Sequence, residues 1–477
     1  MNWRPWLAAP IVLALGGCDF APRYAPPSVA VPSKFKDETG RGALPASGMW
    51  WLTFNDRTLN DLQAQVDAAN PDLAAAVAAN DEAVARANAA LSSAYPQING
   101  VPHFLANKQS ANRPLRSAGQ PTYFGDNVLG AQVAYEIDIW GRVRDIVASA
   151  NATAEASAAA LADARLELHA ELARDYVNLR GLDEEAKLFA DTIAIYSSAL
   201  KLTQDRLAAN IASPVDVDRA QTQLGSAQAQ ASDLALNRAI LENSIAALVG
   251  KAAASFSVAR SSRRLPLPRP PRAAPADVLR NRPDVAENER LTAAASELIG
   301  ASRANFFPKL TLLALGGTQD TNFRLFNPQN LFGTIGPAID IPLFDAGLRQ
   351  AELEIAKAQF TETAENYRAT VLRALKEVQD ELSSLRWLAQ EYNETTTAAV
   401  AARKAADLSL TLYRDGASSF LDVVTAQSAA LDAERLAIAL HTRQQVAVIG
   451  LMLALGGGWS APPEPRAKPG FAPYLVE

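Results

Sequence analysis

Few residues in this chain have types and spacings that could do chemistry. Its three histidines, His103, His169 and His441, stand far apart and form no HExxH or similar pattern, so no metal site is expected. No nucleophile–base set, ligand cluster or phosphate-cradling glycine loop is present, which argues against an enzyme and predicts no cofactor. Arginines 260, 263, 264, 269 and 272 crowd a proline-rich stretch. No aromatic residues interleave with them, and the net charge of the chain is −6. A nucleic-acid partner therefore has no electrostatic support, and the stretch reads as a solvated linker. Two groups of charge remain, Asp216, Asp218 and Arg219 in the first half and Asp422 in the second. The single cysteine, Cys18, follows Arg4, an apolar run from Leu7 to Leu15, and Gly16-Gly17. That run is a secretory signal too short to span a bilayer.

The acidic pair gains meaning from its neighbours. Asp216 and Asp422 each lie three residues after a serine, Ser213 and Ser419, where a carboxylate faces the free N–H groups of a new helix. Just upstream stand Asn210 and Gly416, the two residue types best suited to the left-handed backbone that ends a helix. Pro214 takes the first helical position after Ser213. The two breaks are 206 residues apart and predict two helical hairpins in a duplicated chain.

Long helices must lead into these breaks. After Gly141 no proline occurs before Pro214, which predicts a helix over 142–208, roughly 100 Å long at 1.5 Å per residue. Leu172, Leu179, Ala186, Ile193, Leu200 and Leu207 repeat at heptad spacing, a packing seam. A return helix runs from Pro214 to about Val249. Hydrophobic residues make up 49% of the 477 but aromatics only 7%, because alanine supplies much of the apolar count, and such chains favour long thin helices.

Upstream of each long helix the period changes to two. Leu129, Ala131, Val133, Tyr135, Ile137 and Ile139 fall on one face, with Gln132, Glu136 and Asp138 on the other. The length suits a tilted membrane strand of about 9–11 residues, and the edge strand of a soluble sheet has the same period. Strands are expected at about 97–107, 128–140, 309–318 and 331–344, with polar loops at 108–126 and 319–330. The halves repeat: Asn70-Pro71-Asp72-Leu73 matches Arg282-Pro283-Asp284-Val285, and Tyr95-Pro96-Gln97-Ile98 matches Phe307-Pro308-Lys309-Leu310, with 25 residues between the prolines in both. The second long helix runs from Gly347 to Tyr413, and its return helix ends near Leu455. The expected organisation is a signal peptide (1–17), an extended arm (18–58) with a Trp50-Trp51 clamp, a first repeat (59–250) with its hairpin tip at about 207–216, the linker (251–276), a second repeat (277–460) with its tip at about 413–422, and a tail (461–477).

In this order the chain resembles the TolC-like outer-membrane efflux proteins, specifically the lipoprotein exit ducts of tripartite, RND-type drug pumps. The motifs that carry the resemblance are Cys18 in a lipobox, Trp50-Trp51, Asn70-Pro71-Asp72, Gly141-Arg142-Val143-Arg144, Phe344-Asp345-Ala346-Gly347, Tyr413-Arg414-Asp415-Gly416, Leu421-Asp422-Val423 with Ala426-Gln427, and Ala454-Leu455-Gly456-Gly457-Gly458-Trp459. The resemblance implies a mostly α fold, a long coiled-coil helical barrel plus four strands per chain. Four strands cannot close in lipid, where open edges are not tolerated. The family's homotrimer would supply one twelve-stranded barrel in the outer membrane. It also implies a lipid, palmitate included, on Cys18, although Asp19 is the residue that the enteric sorting rule reads as inner-membrane retention.

The expected partners are a periplasmic adaptor and, through it, an inner-membrane pump, which is where substrate selection would lie. The adaptor would dock at Asn210, Ser213, Gly416 and Ser419. A periplasmic gate would be lined by Asp216, Asp218, Arg219, Leu421, Asp422, Val424 and Thr425. Where this subgroup often places a carboxylate and an arginine, this chain has Thr425 and Ser428. A type I protein-secretion duct shares the fold. A structural periplasmic coiled-coil lipoprotein would share the long helices but lack the paired strands.

Overall fold

A computed structural model describes residues 20–37, 48–110, 112, 113, 117, 119–272 and 274–460. The signal segment, Cys18, Asp19 and the tail beyond 460 lie outside the described residues. In chain order the elements are α1 (Arg57–Ala69), α2 (Pro71–Ser92), β1 (Gln97–Gly100), β2 (His103–Lys108), β3 (Tyr123–Glu136), α3 (Arg142–Ala208), α4 (Pro214–Leu248), α5 (Pro275–Asn281), α6 (Pro283–Ala304), β4 (Lys309–Asp320), β5 (Leu331–Asp340), α7 (Leu348–Arg414) and α8 (Phe420–Ala454). The described residues divide into two compact units, the first from within 20–28, 79–158 and 287–368, the second from within 29–37, 48–78, 159–286 and 369–460.

The first unit holds an antiparallel sheet. Its strands lie in the order β1-β3-β4-β5, and β2 continues β1 along the same edge of β3. The strand expected at 97–107 is thus broken at Val101-Pro102, where Val101 still donates to the Gly130 carbonyl at 2.8 Å while proline has no N–H to give. One face carries Ile98, Val133, Ala314 and Ile335 in a row across four strands, with Tyr135, Leu312 and Pro337 in the next row. This apolar face is bare: Ile98 is 71% exposed and Ile335 75%. The opposite face mixes polar and apolar residues, with Asn99, Gln132, Leu315 and Thr334 in one register row and Glu136, Thr311 and Ala338 in another.

The strand ends differ from the expected ones. β3 begins at Tyr123, because Gln109 N–H donating to Thr122 O extends the pairing into the expected polar loop. It stops at Glu136 rather than 140, because the Asp138 carboxylate folds back to accept from the N–H groups of Val143 (3.2 Å) and Arg144 (2.9 Å) at the start of α3. β4 runs on to Asp320, two residues past the expected end. β5 stops at Asp340 rather than 344. Asp345 beyond it accepts from Gly347 N–H and Arg349 N–H, so those residues serve the start of α7.

Aromatic side chains gather at both ends of the sheet. Phe20, Trp140 and Phe307 form a cluster of three rings, with Phe307 centroids 4.6 and 4.8 Å from Phe20 and Trp140 and those two 6.3 Å apart, and the Trp140 indole donates to the Pro308 carbonyl. At the other end Phe104 stacks on Phe323 at 5.1 Å.

The second unit holds the apolar core. Trp50 and Phe54 are fully buried with Leu59 and Val66 of α1, Leu172 and Leu179 of α3, and Leu440 and Ile449 of α8. Trp51 stacks on His169 at 4.5 Å. Asp56 caps α1 by accepting from Leu59 N–H and also accepts a hydrogen bond from the Tyr176 hydroxyl at 2.7 Å. Burial and that bond push the Tyr176 phenol up to about 12. α8 is long and apolar enough to cross a membrane, but its apolar window is mostly buried, as befits a core helix.

The solvated linker expected over 251–276 is instead a strap bound to the helices. Arg180 donates to the Ala259 carbonyl and Arg238 to that of Val258, each at 2.7 Å. Both guanidiniums also bind Asp183, whose carboxylate further accepts from Ser261 N–H. His441 and Gln445 of α8 reach the Leu265 carbonyl. Val258 and Leu265 are buried. The prolines keep the strap extended, and its carbonyls then need donors from elsewhere.

Candidate functional site at the hairpin tips

Both long helices, each 67 residues, end in the same local geometry. Asn210 has φ of 56° and Gly416 of 78°. In the first hairpin Ile211 N–H donates to Arg206 O (2.8 Å) and Asn210 N–H to Leu207 O (2.9 Å). In the second, Ala417 N–H donates to Leu412 O (2.8 Å) and Gly416 N–H to Tyr413 O (3.1 Å). This is the Schellman pattern, which satisfies the last helical carbonyls and needs one left-handed residue. Each return helix then opens on a capping box, Ser213 with Asp216 and Ser419 with Asp422. Ser419 accepts from Asp422 N–H at 3.3 Å and donates its own N–H to the Asp422 carboxylate at 3.0 Å.

A Cβ on Gly416 would meet nothing nearer than Arg206 Nη2 at 3.9 Å, so a substitution there is limited by backbone conformation rather than space. Gly416→Asn should be nearly silent. Gly416→Val should strain the turn by about 1–3 kcal/mol and speed hydrogen exchange at Ala417 N–H. Equal exchange in the two variants would remove the left-handed requirement.

The two turns are joined by a side chain that the sequence did not single out. Arg206, in the last turn of α3, donates through Nη1 to the carbonyls of Tyr413 (2.7 Å) and Arg414 (3.2 Å) at the end of α7. Its guanidinium carbon lies 4.7 Å from the Tyr413 ring centroid. Tyr413 in turn packs at 5.2 Å on Phe420, the first residue of α8. Tyr413, Phe420 and Val423 are buried with Ala199 of α3 and Ala220 of α4. A cation in a final helical turn is visible in sequence, but nothing local shows that its acceptors belong to another helix 207 residues away.

The other expected gate residues divide into three groups. Asp216 and Asp422 are engaged in capping, and Arg219 lies 3.7 Å from Asp216. Asp218, Arg219 and Val424 line a groove of about 530 Å³ between α4 and α8, together with Thr222, Ser428 and Asp432. Tyr196 closes one side of it, and burial lifts its phenol above the ordinary range, with Asp432 and Glu434 adding to the effect. Leu421 is half exposed outside that groove, and the Thr425 hydroxyl donates back to the Leu421 carbonyl. Cys18 cannot be placed, being outside the described residues. The site offers capped turns, a groove lined by polar and apolar side chains alike, and a cross-hairpin arginine.

The family model described as outer membrane efflux protein matches residues 62–251 and 274–457, both repeats and little else. The chain belongs to the outer membrane efflux protein family. This efflux protein is 30% identical over 464 residues to nodulation protein T of Rhizobium leguminosarum bv. viciae, covering 95% of the chain and 94% of that relative. It is 28% identical over 456 residues to the pyoverdine export outer membrane protein OpmQ of Pseudomonas aeruginosa, covering 94% and 96%. Among solved structures, that of the outer-membrane channel OprN superposes with a TM-score of 0.86 at 27% identity, over 93% of this chain and 100% of that one. The efflux protein is thus of a channel family and not an enzyme, with the mostly helical, partly stranded fold of outer-membrane channels.

Proposed function

We propose that this efflux protein is the outer-membrane exit duct of a tripartite efflux system and works as a homotrimer, passing drugs or other small molecules from a periplasmic adaptor and inner-membrane pump to the outside. The observation that carries the reading is the sheet of the first unit. It has an exposed apolar face, a second face that carries the sheet's polar residues (Asn99, Gln132, Thr334, Glu136, Thr311), and, among the described residues, two unpaired edges. Such a sheet is untenable alone in lipid, and three copies pairing β5 of one to the β1–β2 edge of the next would form a closed barrel with a polar lumen. The aromatic groups at both sheet ends are where interfacial girdles belong. In this reading the 109–122 and 321–330 connections face outside the cell, and the Asn210, Ser213, Gly416 and Ser419 turns meet the adaptor. Asp216, Asp218, Arg219, Leu421, Asp422, Val424 and Thr425 border the periplasmic gate.

The seat of the N-terminal segment supports a lipid anchor on Cys18. Phe20 sits in the aromatic stack, and Arg303 donates to its carbonyl at 3.0 Å, two residues from the cysteine. Radiolabelled palmitate should enter the wild type and not Cys18→Ser, while the trimer still inserts. Equal labelling would refute the anchor.

Single-channel conductance in a planar bilayer, with the oligomeric mass of the purified protein, tests the whole reading. Discrete conductance from a species of three chains is expected. A monomer without conductance would refute it. Gly416→Val should then lower adaptor cross-linking and drug resistance with the trimer intact.

A further inference from the structure

We propose that the strap between the repeats is a docking ledge for a linear, carboxylate-bearing polymer, the cell wall with its peptide stems, which lies along one exposed row of arginines. The choice of polymer rests on the duct reading, because a duct that crosses the periplasm also crosses the wall.

Three observations carry it. The first is the segregation of charge. Six of the chain's 45 cations fall in 251–276 and none of its 51 anions, so this stretch stands at +6 in a chain whose remainder stands at −12. Arg260, Arg263, Arg269 and Arg272 are exposed, and among the described residues their side chains have no hydrogen-bond or ion-pair partner. Arg264, by contrast, is bound to Glu184 and to the Tyr392 hydroxyl.

The second is register. Leu265, Pro268 and Pro271 are buried, and the residues between them are not. A repeat of three is that of a polyproline II helix, which Pro266, Pro268, Pro270 and Pro271 favour. On that repeat Arg263, Arg269 and Arg272 share a row with Pro266, and Arg260 stands one interval upstream. At about 3.1 Å per residue the row places a cation at intervals of about 9 Å, with one gap at Pro266.

The third is rigidity. Arg180 and Arg238 hold the carbonyls of Ala259 and Val258, and His441 and Gln445 hold that of Leu265. Charges already fixed in line lose little freedom when a polymer lies along them. Asp183, which anchors the strap, precedes Arg206 by 23 residues, about 35 Å along α3, so the ledge is separate from the hairpin turns.

The row suits a hydrated polyanion. A folded protein partner takes its affinity from buried apolar anchors, and the one large apolar side chain exposed on 260–272 is Leu267. A lipid surface likewise calls for an apolar face beside the cations. Carboxylates on flexible stems need only the arginine forks, which meet them two N–H groups at a time.

The test sediments the purified full-length protein with cell-wall sacculi. The wild type should co-sediment, and its affinity should fall roughly tenfold between about 50 and about 200 mM salt. Replacing Arg260, Arg263, Arg269 and Arg272 together with glutamine should lower the affinity by a similar factor and leave the trimer's mass unchanged. Replacing Arg57, Arg86, Lys187 and Lys376 with glutamine makes the same change in net charge at exposed sites elsewhere, and should leave binding as in the wild type. Sacculi with amidated carboxyl groups should not retain the wild type, an arm that needs no variant.

Equal loss in the two quadruple variants, or undiminished binding to amidated sacculi, overturns the ledge. Wild-type binding to phosphatidylglycerol vesicles but not to sacculi overturns it too, and makes the row a lipid contact. Dissociation of the trimer in the strap variant alone would make the row a contact between copies, and also overturns it. If the parent protein gives no conductance, the duct reading fails while sedimentation still judges the ledge.

Discussion

Replacing Asp183 with alanine should cost the fold about 3 kcal/mol, because it takes the paired carboxylate from the buried Arg180 and leaves the buried Arg238 with Glu242 alone, 3.2 Å away. The side chains of Arg180, Asp183 and Arg238 are 7%, 3% and 8% exposed, so water cannot take over the lost partner. The strap should suffer first. Asp183 accepts from Ser261 N–H, and the arginines it orients hold the carbonyls of Val258 and Ala259. Limited trypsin digestion should therefore cut at Arg260 and Arg263 in Asp183→Ala well before the wild type, and the melting temperature should drop. Asp191→Ala is the control. Its ion pair with Lys187 is mostly exposed on both sides, and its loss should change stability by about 0.5 kcal/mol or less. Equal effects of the two substitutions would mean that the buried triad does not fasten the strap.

Val133→Arg should reduce assembled trimer far more than Ala134→Arg. Val133 shares the apolar face with Ile98, Ala314 and Ile335, whereas Ala134 lies on the opposite face beside Gln97 and Leu313. A charge facing lipid near the bilayer midplane costs about 2–4 kcal/mol, and one facing an aqueous lumen costs little. Native gels of membrane extracts give the comparison directly. The reverse order would invert the assignment of the two faces.

The turns were legible in the sequence because their determinants are local. Asn210, Ser213, Pro214 and Gly416 act on their own backbone, and residue type alone predicts what they do. The period-two face through Val133 was legible for the same reason, since alternation is a property of one strand. Strand ends were not, because Asp138 and Asp345 end them by turning towards helix N-termini, and alternation carries no sign of that. The strap was misread as solvated because its partners are remote: Ala259 meets Arg180, and Leu265 meets Gln445, 180 residues along. Arg206 escaped notice on similar grounds. Its charge was plain, but its acceptors were in the other repeat.

Each open edge of the sheet contains one proline, Pro102 between β1 and β2 and Pro337 within β5. Proline removes a donor, and edge strands tolerate it where the missing N–H would have pointed outward. On the proposed reading, a protomer not yet closed into the barrel displays both edges, and a stray strand pairing with either would start an aggregate. The gap in each ladder penalises most alignments that such a stranger could adopt. Only a partner whose own hydrogen-bond pattern accommodates the gap loses nothing. The two prolines thus favour correct closure over promiscuous polymerisation, and the chain is protected during the interval when it is most exposed.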